Sequence, residues 1–236
     1  KIMSPMRQIL DEAAYRFDYP SPFINIKTLK KQRTDVNPFS TEEVQMIIKN
    51  IRADYRSYVI ARFFTGMRTN EINGLKWKFV DFKRRQILVR EGWVLGETTY
   101  LKTDGSSRDI DMSQAVYDCL QEQLKITKGQ TYVFSNNAGM PISLNNFAKR
   151  VWTPLLAFLG IEYRKPYETR HTAATLWLAS GEAPEYIARQ MGHTTTEMLF
   201  RVYSRYVPNL TRNDGSAFDK MISNSINPVI KGDQHD

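Results

Sequence analysis

Apolar residues recur at helical spacing over most of this chain and at alternate positions over a short part of it. Met3 to Tyr19 carries Ile9, Ala13, Tyr15 and Phe17 among its apolar positions and is expected to form one helix. Asp18-Tyr19-Pro20-Ser21-Pro22 stops it, because proline lacks an amide donor and disfavours helix in the residue before it. Ser40-Thr41-Glu42-Glu43 has the form of a capping box, and Val44, Ile47, Ile48 and Ile51 supply the buried stripe of the helix it opens. Another helix is expected over Tyr55 to Thr65, ended by Gly66, and a short one over Asn70 to Leu75. The period then changes to two. Gln86 to Arg90, Thr98 to Leu101 and Arg108 to Met112 predict three short strands, with Asp104-Gly105 as a tight turn between the last two. Helices return over Gln114 to Thr127, Leu144 to Leu159, Thr169 to Ser180, Pro184 to Met191 and Glu197 to Tyr206. Gly181 and Gly192 sit where helix C-terminal glycines belong, and Pro184 suits a first helical turn. The pattern predicts a mainly α fold with a small antiparallel β-sheet (α+β).

Length and charge narrow what such a fold does. At 236 residues, one good-sized domain with an appendage is expected rather than two equal domains. Lys and Arg number 33 against 25 acidic residues, a formal charge of +8 that makes nucleic acid the first partner to consider. The single cysteine, Cys119, excludes an internal disulfide framework and a multi-cysteine zinc site, and three histidines make a histidine-rich metal centre a poor fit. No apolar run approaches a membrane span and no signal peptide heads the chain, so a soluble protein of a reducing compartment is expected. Between Lys27 and Arg33 the cations Lys27, Lys30, Lys31 and Arg33 have no acidic neighbour. This stretch is either a solvated connector or a strap facing DNA.

Four clusters could carry chemistry. Arg68 follows the Gly66 turn at the mouth of a short helix, placed to meet an anion beside helix amides, with Glu71 close enough to orient or neutralise it. The alternative is a surface arginine paired with Glu71. Lys102, at the expected hairpin tip, can donate a proton to a leaving oxygen or simply stay solvated. Arg170 and His171 open a helix whose remainder is apolar, and cations at that end oppose the helix dipole unless an anion is bound there. His171 alone suits a packed, hydrogen-bonded role. His193 follows a helix stop, and Tyr203 lies ten positions after it, with Tyr206 one turn further. A phenol needs nearby cations or a base to attack at neutral pH, and helical tyrosines also serve as core residues.

The order of these clusters resembles the tyrosine recombinases, the phage integrase family, over Asn37 to Pro208. TGMRTNEINGLKW is similar to the family's first arginine box, with Arg68. LKTDGSSRDIDM is similar to its β-hairpin lysine segment, with Lys102. YETRHTAATLWLASG resembles the second box, with Arg170, and IARQMGHTTTEMLFRVYSRYVP resembles the glycine–histidine segment and nucleophile helix, with His193 and Tyr203. The second box usually opens with histidine three residues before its arginine; Tyr167 stands there instead. A tyrosine can hydrogen-bond a phosphate but does not shuttle protons near neutral pH as imidazole does.

The resemblance implies a DNA strand transferase, with Arg68, Lys102, Arg170, His193 and Tyr203 as its catalytic set and Tyr167, Glu71 and His171 in support. It implies that Tyr203 rather than Tyr206 attacks, forming a 3′-phosphotyrosyl link, with no metal, ATP or other cofactor needed. Double-stranded DNA is the implied substrate, a homotetramer on DNA the implied assembly, and accessory DNA-bending proteins the implied helpers, in the cytoplasm and nucleoid of a bacterial host. Residues 1–34 are expected to be the last helix of a core-binding domain with its basic linker, 35–210 the catalytic domain and 211–236 a tail. Phe218, Met221, Ile222 and Ile226 form an apolar stripe in that tail, docking either on its own domain or on a neighbouring protomer. Two other activities fit the same boxes: a DNA-binding regulator that has lost cleavage, and a strand-relaxing topoisomerase of type IB.

Overall fold

A computed structural model describes residues 3–24, 36–100, 107–203 and 206. The chain divides into two compact units, Lys1–Asp35 and Val36–Asp236. The expectations for Lys27–Arg33, for Lys102 with the Asp104-Gly105 turn, and for the tail from 211 lie outside the described residues. Among the described residues no helix is long and apolar enough to cross a membrane.

In the first unit, α1 (Met3–Arg16) ends three residues earlier than the sequence pattern suggests. Asp18 takes a left-handed backbone, φ 53°, before Pro20 can act. Ala14 and Phe23 are buried, and the Arg7 guanidinium donates to the Phe23 carbonyl at 3.1 Å. Ile9, Tyr15 and Phe17, which the helical pattern includes, are exposed.

The second unit opens on α2 (Thr41–Asn50). The capping box forms as expected: the Glu43 amide donates to Ser40 Oγ at 3.2 Å and the Ser40 amide to Glu43 Oε2 at 2.8 Å. Val44, Ile47 and Ile51 are buried; Ile48 is half-buried. The central helix α3 (Ala53–Thr65) buries Tyr58, Val59, Ala61 and Phe63. Its rings join Phe39, Phe147, Phe134 and Trp152 in a cluster of edge-to-face and tilted pairs with centroids 5.1–6.3 Å apart. Gly66 ends α3 at φ 60°, and a Cβ there would come 3.0 Å from the Trp177 ring. A Gly66→Ala variant is therefore expected to lose about 1–2 kcal/mol of stability from the backbone conformation alone, read by chemical denaturation.

The chain continues through α4 (Thr69–Asn73), a 3₁₀ turn at Trp77–Phe79, then β1 (Val80–Asp81), β2 (Gln86–Val89), β3 (Glu91–Val94), β4 (Glu97–Tyr100) and β5 (Arg108–Asp111). Here the strand expectation is corrected. The strands make two antiparallel sheets, β1-β2-β5 and β3-β4, and β4 does not pair with β5. Leu95 and Gly96, both at positive φ, form the two-residue turn that folds β4 back onto β3. β5 instead lies along β2, with Ile87 opposite Ile110 and Val89 opposite Arg108.

Helices follow as α5 (Gln114–Thr127), α6 (Leu144–Phe147), α7 (Thr153–Phe158), α8 (Glu168–Ala179), α9 (Pro184–Met191) and α10 (Thr196–Tyr203). The single helix expected over Leu144 to Leu159 is helical throughout but widens to a π turn at Ala148–Trp152. Pro154 has no amide to give the carbonyl one turn back, and a wider turn before it accommodates the ring. α8 is buried on most sides, through Thr169, Arg170, Thr172, Ala173, Ala174, Thr175 and Leu178. It packs against α3 and contributes Ala174 and Leu178 to a smaller core completed by Ile187, Met191, Leu199 and Tyr203.

Candidate functional site

Three helix ends meet around one group of cations. Where α4 starts, Arg68 is held by the acid three residues on: its backbone amide donates to Glu71 Oε2 at 2.7 Å and its Nη1 to Glu71 Oε1 at 2.8 Å. The Arg68 side chain stays 32% exposed while that of Glu71 is 1% exposed, so the carboxylate lies behind the arginine and the guanidinium faces outward. Arg68 Nη2 also donates to the Gly192 carbonyl at 3.0 Å.

The first turn of α8 supplies Arg170, which is buried and donates to the carbonyls of Gly66 and, at 2.7 Å, of Met191. Both acceptors are carbonyls at the C-terminal ends of other helices. Their partial negative charge offsets the dipole that opposes an arginine at the N-terminal end of α8. Burial, and then the charge of Arg68, push the Arg170 pKa down to about 10, so it remains cationic at neutral pH.

α9 ends at Gly192, whose left-handed backbone turns the chain and presents His193. Its Nε2 lies 3.3 Å from Arg170 Nη2. Burial, then the charges of Arg170, Arg68 and Arg108, lower the His193 pKa to about 4, so the ring is neutral near pH 7. Arginine only donates, so Nε2 accepts and Nδ1 carries the proton. That buried Nδ1 has no hydrogen-bond partner among the described residues.

Tyr203, the last residue of α10, is buried in the smaller core, 2% exposed. Its Oη is 2.6 Å from Nδ1 of His171, the residue next to Arg170. Burial lowers the His171 pKa to about 4 and raises that of the phenol. The phenol therefore keeps its proton and donates it to a neutral imidazole. Tyr206 is occupied elsewhere, donating to the Val36 carbonyl at 3.0 Å. Tyr167 is 41% exposed and sets its ring edge-on to His171 at 5.3 Å. With Arg68, Asn70, Trp93, Leu95 and Ser143 it lines an open cleft of about 620 Å³.

The structure thus brings Arg68, Glu71, Arg170 and His193 into one bonded group, joins Tyr203 to it through His171, and sets Tyr167 at the edge of the cleft beside Arg68. Two residues escaped the sequence reading. Arg108 is buried, and its Nη1 and Nη2 meet the two Glu71 oxygens at 3.1 and 2.8 Å. Gln190 is buried too, its Oε1 accepting from the Asp111 amide at 2.9 Å. A signal for Arg108 was present: it alternates with Ile110 on the inward face of β5, where a lone cation needs a buried partner.

Glu71 titrates well below the usual carboxylate range. Burial alone would raise it, but the bonds and charge of Arg108, joined by Arg68, hold it at about 2. Because the folded pKa is depressed, the stabilisation is complete above about pH 4.5 and is lost as pH falls toward 2. Glu71→Gln is expected to flatten that acid limb, read as melting temperature between pH 5 and pH 2.

Comparisons with known proteins give the family and the fold. Residues 39–209 match the family model described as the phage integrase family. The chain is 28% identical over 216 residues to the putative defective protein IntQ of Escherichia coli K12, covering 79% of this chain and 54% of that protein. It is 26% identical over 226 residues to the prophage integrase IntR of the same strain, covering 83% and 55%. The chain therefore spans about half the length of these relatives. Among solved structures, the Tn1549 transposon integrase in complex with a circular intermediate DNA superposes with a TM-score of 0.74 at 19% identity, over 92% of this chain and 76% of that one. A lambda integrase dimer bound to a core site gives a TM-score of 0.60 at 16% identity, over 89% and 72%. The fold is that of these catalytic domains, and the chain belongs to the phage integrase family.

Proposed function

We propose that this domain cuts and rejoins DNA strands at a specific site through a covalent bond between Tyr203 and a 3′-phosphate. One observation carries the reading. Arg170 lies 3.3 Å from His193, and its chain neighbour His171 holds the Tyr203 phenol at 2.6 Å, so the anion-binding Arg170 and the residue that holds the nucleophile share one turn of α8.

The chemical task is to attack an anionic phosphodiester with a weak nucleophile. Arg68 and Arg170 grip the non-bridging oxygens and offset the charge that builds up in the five-coordinate transition state, because guanidinium matches phosphate geometry. His193 adds a hydrogen bond from the imidazole, and Tyr167, at the rim of the cleft, adds one from its hydroxyl. Tyr203 Oη loses its proton to solvent and bonds to phosphorus as the bond to the 5′-oxygen breaks, and Lys102 gives that oxygen a proton. One phosphate ester replaces another, so the bond is stored, and the 5′-hydroxyl of a partner strand reverses the step. In the pose described, Tyr203 is buried against Leu199 and His171, so the last turn of α10 must rotate before the phenol reaches the phosphate. Members of such an assembly, a homotetramer on duplex DNA with DNA-bending helpers, would supply the signal for that movement. The domain acts in the cytoplasm, at the nucleoid.

Incubation with a nicked duplex carrying the end junction of its own mobile element tests the reading. Loss of the short strand after the nick traps the covalent adduct, which is expected on the cognate site and on no unrelated duplex. Tight, specific binding with no adduct would favour the regulator, and relaxation of any supercoiled plasmid would favour the topoisomerase.

A further inference from the structure

We propose that Arg108 is a positioning residue that aims Arg68 and sets the backbone carrying His193; the inference rests on the reading of the site given above. The side chain of Arg108 is 4% exposed, and that of its partner Glu71 is 1% exposed. Every nitrogen of this guanidinium has a defined acceptor. Nη1 and Nη2 take the two Glu71 oxygens, and Nε donates to the Gln190 carbonyl at 2.7 Å. A carboxylate fixed from behind by a two-pronged pair cannot rotate. It is this fixed carboxylate that receives both the amide and the Nη1 of Arg68. Orientation therefore passes from Arg108 through Glu71 to the outward guanidinium of Arg68.

The same side chain spaces the other wall of the site. A Cβ at Gly192 would come 2.9 Å from Arg108 Nη1, so the Gly192 backbone lies directly against the guanidinium. The stretch it supports carries the Met191 carbonyl that takes Arg170, the Gly192 carbonyl that takes Arg68, and then His193. Gln190 locks this stretch to β5 a second time, donating to Asp111 Oδ2 at 3.2 Å and accepting from the Asp111 amide. Arg108 also lies six positions after Lys102 in the chain. One buried arginine on β5 thus fixes the start of α4 and the end of α9 with respect to each other. Lysine, a point charge without the planar fork, cannot replace these three bonds.

The test compares the whole chain with two variants: Arg108→Lys, and the double variant Glu71→Leu with Arg108→Met, which removes the fully buried charge pair together and frees the half-buried Arg68 of its carboxylate. Adduct formation is timed on the nicked junction duplex with a normal scissile phosphodiester and with a neutral methylphosphonate in its place. Both variants are expected to slow adduct formation on the phosphodiester about 100-fold, the scale on which small misplacements act. Duplex affinity is expected to stay within about threefold, because the lost interaction belongs to the transition state. On the methylphosphonate, where the transition state carries less charge for a misaimed guanidinium to stabilise, the loss is expected to shrink to about fivefold or less. Equal losses on both substrates, an unchanged rate on the phosphodiester, or loss of cooperative melting in both variants would each overturn the proposal. Absence of any adduct with the unaltered chain would instead sink the reading of the site, which keeps the two failures distinct.

Discussion

Tyr203→Phe is expected to abolish the covalent adduct on a nicked cognate duplex, a loss of about 10⁴-fold or more, while Tyr206→Phe retains it. The size of the effect follows from the chemistry, since a phenyl ring offers no oxygen to bond to phosphorus. The contrast follows from the structure. Tyr206 Oη is committed to the Val36 carbonyl, whereas Tyr203 Oη faces His171, next to the buried Arg170. Removing the phenolic oxygen also leaves the half-buried His171 Nδ1 without its donor, so a modest fall in melting temperature is expected alongside. Duplex binding should be unchanged within experimental scatter, because the oxygen lies inside the smaller core and not on the exposed surface.

Arg170→Ala is the second large effect: about a 10³-fold fall in adduct formation, measured at saturating duplex, with affinity reduced far less. Arg170 is held by carbonyls from two different helix ends before any substrate arrives, so its donors are preorganised toward the site it shares with Arg68 and His193. Preorganised donors in a buried setting act mainly on the charge that develops in the transition state. Arg170→Lys is expected to recover little of the rate. An ammonium cannot bridge the Gly66 and Met191 carbonyls with the spacing of a guanidinium, and it is more strongly hydrated.

Much of this architecture was legible in the chain. Local chemistry decides where a helix begins and ends, so the Ser40–Glu43 box, the Gly66 stop and the Pro184 start are found where the sequence puts them. Pairing between strands is decided by distant partners, and there the pattern misled. β3 contains Gly92 and a buried Glu91, neither of which suggests a strand, and Glu91 is tolerated inside because Lys76 and Lys78 pair with it. With β3 unseen, β4 had no partner but β5.

The site divides along the same line. Arg68, Glu71, Arg170 and His193 were recognisable from short segments next to glycine turns and helix starts, and the structure gathers them. Arg108 was not singled out because its importance rests on Glu71, thirty-seven positions earlier, and on Gln190, eighty-two positions later. The burial of Tyr203 was equally hidden. Its helix is amphipathic in sequence, but whether the phenol ends inside or outside depends on how α10 meets α8 and α9.

The central claim is that Tyr203, among all the tyrosines of the chain, takes the scissile phosphate. The most direct measurement is to trap the adduct on the nicked duplex, trim the DNA with nuclease, and map the nucleotide-bearing peptide by mass spectrometry. A single modified peptide with the nucleotide on Tyr203 is expected. A nucleotide on Tyr206 or Tyr167, or on any residue other than Tyr203, would contradict the account.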